Sequence, residues 1–279
     1  MCLAVTSSGS AGAVIRRALF VAIVLGVAAC SGGNGASSAN GSRLYNPDAL
    51  PTGPVGQAIR DGYAILSNTP TEAGGFVRAD MSCTACHIAG GTVPHGGSLS
   101  GTLASYPQWN VRAKRVITLE DRIAECFLYS MNGRPPKYAG KQMVSIVAYI
   151  AWLSRGRAIL SAQSSQSGFA VALPSATPDV ARGKAIYIQK CAGCHQTNGA
   201  GISGTFPPLW GPKSFNDGAG MAHLEVITGW VKFNMPRGAA GSLSLAEAYD
   251  VSAYVLSHNR PRFNRNALVT NESLRAGYY

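Results

Sequence analysis

Cys83-Thr84-Ala85-Cys86-His87 and Cys191-Ala192-Gly193-Cys194-His195 decide how this chain folds. Both read C-x-x-C-H, the spacing at which two thiols on one short turn reach the two vinyl groups of a single porphyrin while the adjacent histidine faces its iron. One copy would equally suit a redox pair or half of a zinc site. Two copies, with first cysteines at 83 and 191 and so about one small-domain length apart, point to two covalently attached c-type haems.

Other features recur at nearly the same offset. Gly62-Tyr63-Ala64-Ile65 precedes the first site and Gly183-Lys184-Ala185-Ile186 the second, while Ala148-Tyr149-Ile150 follows the first and Ala253-Tyr254-Val255 the second. One plan is used twice: a helix, the attachment turn, a long loop region and a final helix. Thr177-Pro178-Asp179 reads as an N-cap, a proline at the first helical position and an early acid, opening a helix to about Gln189. Its Gly183 leaves room for close approach of the final helix. Gln142 to Leu153 (QMVSIVAYIAWL) is apolar nearly all round, as suits a helix buried between porphyrin and first helix. No run alternates at period two, so sheet is at most minor. The expectation is a mostly α protein of two tandem cytochrome c-like domains, each with one covalent haem. The first spans 48–165 and the second 179–279, with a linker at 166–178 in and after the Ser/Gln-rich stretch Ser161 to Ser175.

Arg16 and Arg17 followed by the apolar run Ala18 to Ala29 have the order of an export signal, and the run is too short to span a bilayer. It ends Val27-Ala28-Ala29-Cys30, which resembles a bacterial lipobox. Residues 1–29 are therefore expected to be a signal peptide of lipoprotein type, Cys30 a lipid anchor and 30–47 a flexible tether, holding the protein on the periplasmic side of the envelope. Loss of Arg16 and Arg17, with no acid among residues 1–29, lowers the formal charge from +11 to +9. That balance alone permits nucleic acid, but export argues against it and leaves small anions and acidic electron carriers. With 279 residues, 46% hydrophobic and 13% charged, the chain has enough apolar material for a core in each of two small domains.

Cys126 is left over once Cys2, Cys30 and the four attachment cysteines are assigned. An unpaired thiol in an oxidising compartment needs a role, if only as a buried inert side chain. The repeat supplies one. Met235, in Asn234-Met235-Pro236, lies 40 residues past His195, and the position 39 past His87 is Cys126. Cys126 is thus a candidate distal ligand whose thiolate would lower the haem potential. Met131, 44 past His87, is the main alternative, while His95, eight past it, is too close and reads as a loop residue. In the second half Met235 is preferred to Met221, which suits packing, and to His223, which suits a surface or capping position. Arg112, Lys114, Arg115 and Arg122 cluster before Cys126. On a helix Arg122 and Cys126 share a face at i, i+4, and Ser130 adds a turn to that face if the helix continues. Lys114 and Arg115 are expected to be a solvated face.

Longer strings are more specific than the attachment motif. Thr118-Leu119-Glu120-Asp121-Arg122-Ile123-Ala124-Glu125-Cys126-Phe127, Ser130-Met131-Asn132-Gly133, Pro207-Pro208-Leu209-Trp210-Gly211-Pro212, Ser214-Phe215-Asn216, Gly218-Ala219-Gly220-Met221 and Asn234-Met235-Pro236 resemble the tetrathionate-forming thiosulfate dehydrogenases, over about residues 50–260. The resemblance implies oxidative joining of two thiosulfates into tetrathionate at a His87/Cys126 haem. It also implies a His195/Met235 haem that passes electrons to an external cytochrome c or similar acceptor. By position it makes Cys126 the catalytic ligand, with Arg112, Arg122 and Ser130 lining the substrate pocket. Some relatives carry a lysine before the distal methionine; Asn234 stands there in this chain, so stable His/Met ligation is expected. Two rival classes remain. A non-catalytic dihaem electron-transfer module would use His/Met or His/His ligation at both irons, and a sulfur-oxidising cytochrome acting on a carrier protein's cysteine would need a partner subunit.

Overall fold

The computed structural model describes residues 45–161 and 168–263. The expected signal peptide, the anchor at Cys30 and the tether as far as residue 44 lie outside the described residues. Among the described residues the chain forms α1 (Gly53–Ser67), α2 (Thr69–Glu72), α3 (Ile88–Gly91), β1 (Gln108–Asn110), β2 (Arg115–Ile117), α4 (Leu119–Leu128), α5 (Lys141–Ser154), α6 (Val180–Lys190), α7 (Ala192–His195), α8 (Leu224–Asn234) and α9 (Leu245–Leu256), joined by loops and 3-10 turns. β1 and β2 are one short antiparallel hairpin that pairs Trp109 with Val116. No helix among these residues is long and apolar enough to cross a membrane.

Each half is built on a helix pair that crosses over a glycine. α1 has Pro54 in its first turn, where no N–H is missed, and buries Ile59, Ile65 and Leu66. α5 buries Met143, Ile146, Tyr149, Ile150 and Leu153. They meet at Gly62, where a Cβ would lie 2.1 Å from the Ser145 carbonyl oxygen. α6 meets α9 in the same way at Gly183, whose Cβ would lie 2.1 Å from the Asp250 carbonyl oxygen. Any side chain at either position would force the helices apart, so the expectation for Gly183 holds and extends to Gly62.

The start of α6 differs from the sequence expectation. Its N-cap is Asp179, not Thr177, and Asp179 Oδ1 accepts the Arg182 N–H at 2.9 Å. The reason is tertiary. The buried Asp250 carboxylate on α9 accepts the Asp179 N–H at 2.8 Å and also pairs with Arg182, fixing where the chain turns into the helix.

The core of the first half gathers Ile59, Ile117, Phe127, Met143 and Tyr149. A second core joins Tyr187, Ile227, Trp230 and Val251 to Met81, Ile88, Leu128 and Met131, so the two halves share apolar surface. Polar contacts fix their register. Asn216, 1% exposed, donates Nδ2–H to the Leu128 carbonyl at 2.8 Å and its N–H to that of Tyr129 at 3.3 Å. The Asp80 N–H reaches the Lys213 carbonyl at 2.8 Å. Asn234 donates to the His95 carbonyl at 2.8 Å, and the His95 ring stacks on Phe233. Residues 168–171 lie on α8, with Val171 N–H on the Glu225 carbonyl and Phe169 edge-on to Trp230.

Candidate functional site

α4 positions the central side chains. Thr118 and Asp121 close a capping box at its start, and Leu119, Ile123, Ala124 and Phe127 face the core. The opposite face is left to Arg122 and Cys126, one turn apart, and Arg122 Nη1 donates to Cys126 Sγ at 3.2 Å. The Cys126 sulfur, and after it Glu125 and Tyr106, favours the charged guanidinium, which is 45% exposed, and raises its pKa. α4 stops at Leu128, so the condition under which Ser130 would add a further turn to that face is not met. The chain turns there because the Met131 N–H bonds back to the Cys126 carbonyl and the Gly133 N–H to that of Phe127. At Gly133 a Cβ would meet the Phe76 carbonyl oxygen at 2.0 Å.

A cavity of about 540 Å³ collects Cys83, Cys86, His87, Cys126, Arg112, Arg122, Ser130 and Met131 on its walls. The first-half attachment residues, the candidate distal ligands Cys126 and Met131, and Arg112, Arg122 and Ser130 therefore line one space. A second cavity of about 190 Å³ is lined by Cys191, Cys194, His195, Met221 and Met235. Both methionines reach it, Met221 buried and Met235 half-buried at the C-cap of α8. His95 and His223 line neither cavity. Met81 and Cys86 line both, so one layer of side chains separates the two spaces.

The donor sets fit a c-type haem. His87 Nδ1 lies 2.6 Å from the Gly97 carbonyl oxygen and His195 Nδ1 2.9 Å from that of Pro207. A carbonyl only accepts, so the proton is on Nδ1 and Nε2 is left as a metal ligand. Burial lowers both histidine pKa values and keeps the rings neutral. Burial also pushes the thiols of Cys83 up to about 11, Cys86 to about 12 and Cys191 to about 11. Redox-active C-x-x-C pairs have depressed thiol pKa values, so the Cys83/Cys86 pair does not suit that chemistry. Nor do three or more His, Cys, Asp or Glu side chains converge as a metal-ion site among the described residues, as zinc would require.

Arg112 is exposed, lines the first cavity and lies over the Tyr129 ring at 4.3 Å. Lys114 is exposed as expected, in a turn with φ 50°. Arg115 is not a solvated cation, however. It pairs with the buried Asp121 carboxylate at 2.8 Å, because the β1–β2 hairpin folds it back over the start of α4. Sequence reasoning passed over Glu125 and Asn110. Glu125 Oε2 lies 3.7 Å from Arg122 Nη1, and Asn110 Nδ2 donates to both Glu125 oxygens at 3.2 and 3.4 Å. The i, i+3 spacing of Arg122 and Glu125 was legible in the sequence; the approach of Asn110 across the hairpin was not.

Residues 76–159 match the family model described as SoxA/TsdA, cytochrome c domain, and residues 180–259 match that of cytochrome c. The chain is 38% identical over 223 residues to a thiosulfate dehydrogenase of Allochromatium vinosum, covering 77% of this chain and 82% of that protein. It is 36% identical to one of Stutzerimonas stutzeri, over 82% of this chain and 76% of that one. Among solved structures, a thiosulfate dehydrogenase (TsdBA) from Marichromatium purpuratum superposes with a TM-score of 0.77 at 33% identity. The match covers 82% of this chain and spans about half, 51%, of that longer one.

Proposed function

The chain belongs to the thiosulfate dehydrogenase family, and from that membership we propose that it joins two thiosulfate ions into tetrathionate with release of two electrons. The observation that carries the reading is Arg122 Nη1 at 3.2 Å from Cys126 Sγ, inside the cavity that also holds Cys83, Cys86 and His87. Two covalent haem groups, held by Cys83, Cys86, His87 and Cys126 and by Cys191, Cys194, His195 and Met235, would supply the one-electron acceptors and the route to an external cytochrome c or similar carrier.

The residues of the chain meet the electrostatic demand of this reaction. Two dianions about 4 Å apart in water repel by roughly four times the ~1 kcal/mol of two unit charges, and by more in a drier cleft. Arg112 and Arg122 offset that repulsion, and their planar forks suit the oxygens of a sulfonate group. Ser130 adds a hydroxyl donor on the same wall. Arg122 orients the outer sulfur of thiosulfate towards the Cys126 sulfur, where the first of the two ions is held for the second to join. The protein would act on the periplasmic side of the envelope, tied to a membrane by lipid on Cys30.

Mixing the oxidised holoprotein with thiosulfate tests the reading. It requires reduction of the haem absorbance bands and formation of one tetrathionate per two thiosulfates consumed. Reduction only by a protein partner would instead favour the electron-transfer module.

A further inference from the structure

Glu125 puts a negative charge beside a site built for anions, and nothing in the proposed reaction asks for it. Its side chain is 14% exposed and lies behind Arg122, outside the cavity wall to which Arg122 itself contributes. Its place is fixed from two sides. α4 sets it three residues after Arg122, and Asn110 grips both carboxylate oxygens while its own Oδ1 accepts the Ala113 N–H at 2.8 Å, locking it into the hairpin turn. The same guanidinium nitrogen, Nη1, faces both the Glu125 carboxylate at 3.7 Å and the Cys126 sulfur at 3.2 Å.

We propose that Glu125 is a positioning residue and counter-charge that limits how tightly the arginine wall holds sulfur oxyanions, so that tetrathionate is released. This rests on the reading of the cavity as a thiosulfate site. The charge balance gives it a purpose. Two thiosulfates bring four negative charges, two electrons leave, and tetrathionate departs with two. Cations strong enough to gather the first pair unaided would also retain the product. A fixed carboxylate on Nη1 competes with any bound anion for the same donor and weakens the hold on both species.

Two titrations on the holoprotein are redox-silent and read binding alone: thiosulfate into the fully reduced protein, and tetrathionate into the fully oxidised one. Glu125→Gln keeps the shape and the acceptor for Asn110 but removes the charge. It should tighten both dissociation constants by on the order of tenfold and, in turnover, lower KM and kcat together. Glu125→Asp keeps the charge and should stay near wild type in both titrations. A purely structural role gives the reverse pattern, Gln silent and Asp disruptive, and that result would overturn the proposal, as would Gln binding either ion no tighter than wild type. If the wild-type protein neither binds nor oxidises thiosulfate, the functional reading itself fails and takes this one with it. If wild type turns over while Gln leaves both constants unchanged, only the proposal for Glu125 fails.

Discussion

Cys126 differs from the attachment cysteines of its own cavity in what it touches. Cys83 and Cys126 are both half-buried, but Cys83 lies against the Thr69 hydroxyl at 3.3 Å, whereas Cys126 faces a guanidinium. The guanidinium that would hold a sulfur oxyanion in this cavity therefore also touches the Cys126 sulfur. Replacing Cys126 by Gly should abolish thiosulfate-dependent turnover while mass spectrometry still finds both haems attached; a fully active variant removes Cys126 from the chemistry. Arg122→Ala should lower kcat/KM roughly 10- to 100-fold, matching the loss of about 1.5–3 kcal/mol from one charge-assisted hydrogen bond. An unchanged kcat/KM would show that Arg122 contributes only surface. Both residues were legible in the sequence because the repeat offset pointed at position 126 and helical spacing tied 122 to it. Glu125 was passed over because a carboxylate beside an anion site looks like an ordinary solvated charge until its neighbours are known.

The elements hold these side chains in place through contacts at their ends and crossings. At the start of α4, burial works against ionisation of Asp121, but hydrogen bonds from Arg115 and Tyr138 and from the Thr118 N–H outweigh it and hold the carboxyl below the usual range. A depressed folded pKa means this stabilisation is present above about pH 4, the unfolded carboxyl value, and is lost as pH falls through the lower folded one. Arg115→Met removes the cation, so acid unfolding followed by circular dichroism should begin at higher pH than in wild type. The cost at neutral pH should be about 1–2 kcal/mol, discounted because Arg115 is 28% exposed. At the crossings, Gly62→Ala and Gly183→Ala should each destabilise by at least about 1–3 kcal/mol in thermal unfolding, since the methyl group would meet a backbone oxygen that has no free rotamer to escape to. The pairing of helix, turn and helix was readable from the repeat, and so was the glycine at its centre. The true N-cap of α6 and the partner of Arg115 were not. Asp250 reaches Asp179 across 71 residues, and the hairpin that turns Arg115 onto Asp121 has strands too short to leave a period in the sequence.

At the scale of the molecule, the two halves are a duplicated plan whose relative placement no internal repeat encodes. The repeat describes what the halves have in common, and the interface is made of what they do not. Asn216 belongs to the second half, and the carbonyls it meets at Leu128 and Tyr129 lie where α4 ends, next to Ser130 and the first cavity. The same interface brings Met81 and Cys86 between the two cavities as a single layer. On the proposed route from the first cavity to the second an electron would cross that layer, and its rate of passage would depend on how firmly the halves are clamped. Asn216→Ala removes the side-chain donor from the Leu128 carbonyl and leaves that acceptor unpaired in a buried position, a cost of about 1–3 kcal/mol. The cost falls on the clamp, because neither helix crossing is touched. Calorimetry should therefore show the variant unfolding over a broader range than the wild type, or with the two halves further apart in temperature. Rapid mixing with thiosulfate should show the second haem band lagging further behind the first, with the first reduced at its normal rate. Equal slowing of both bands would place the effect of Asn216 on the substrate pocket through Tyr129, and an unchanged lag with an unchanged transition would mean the shared apolar core alone holds the two cavities together.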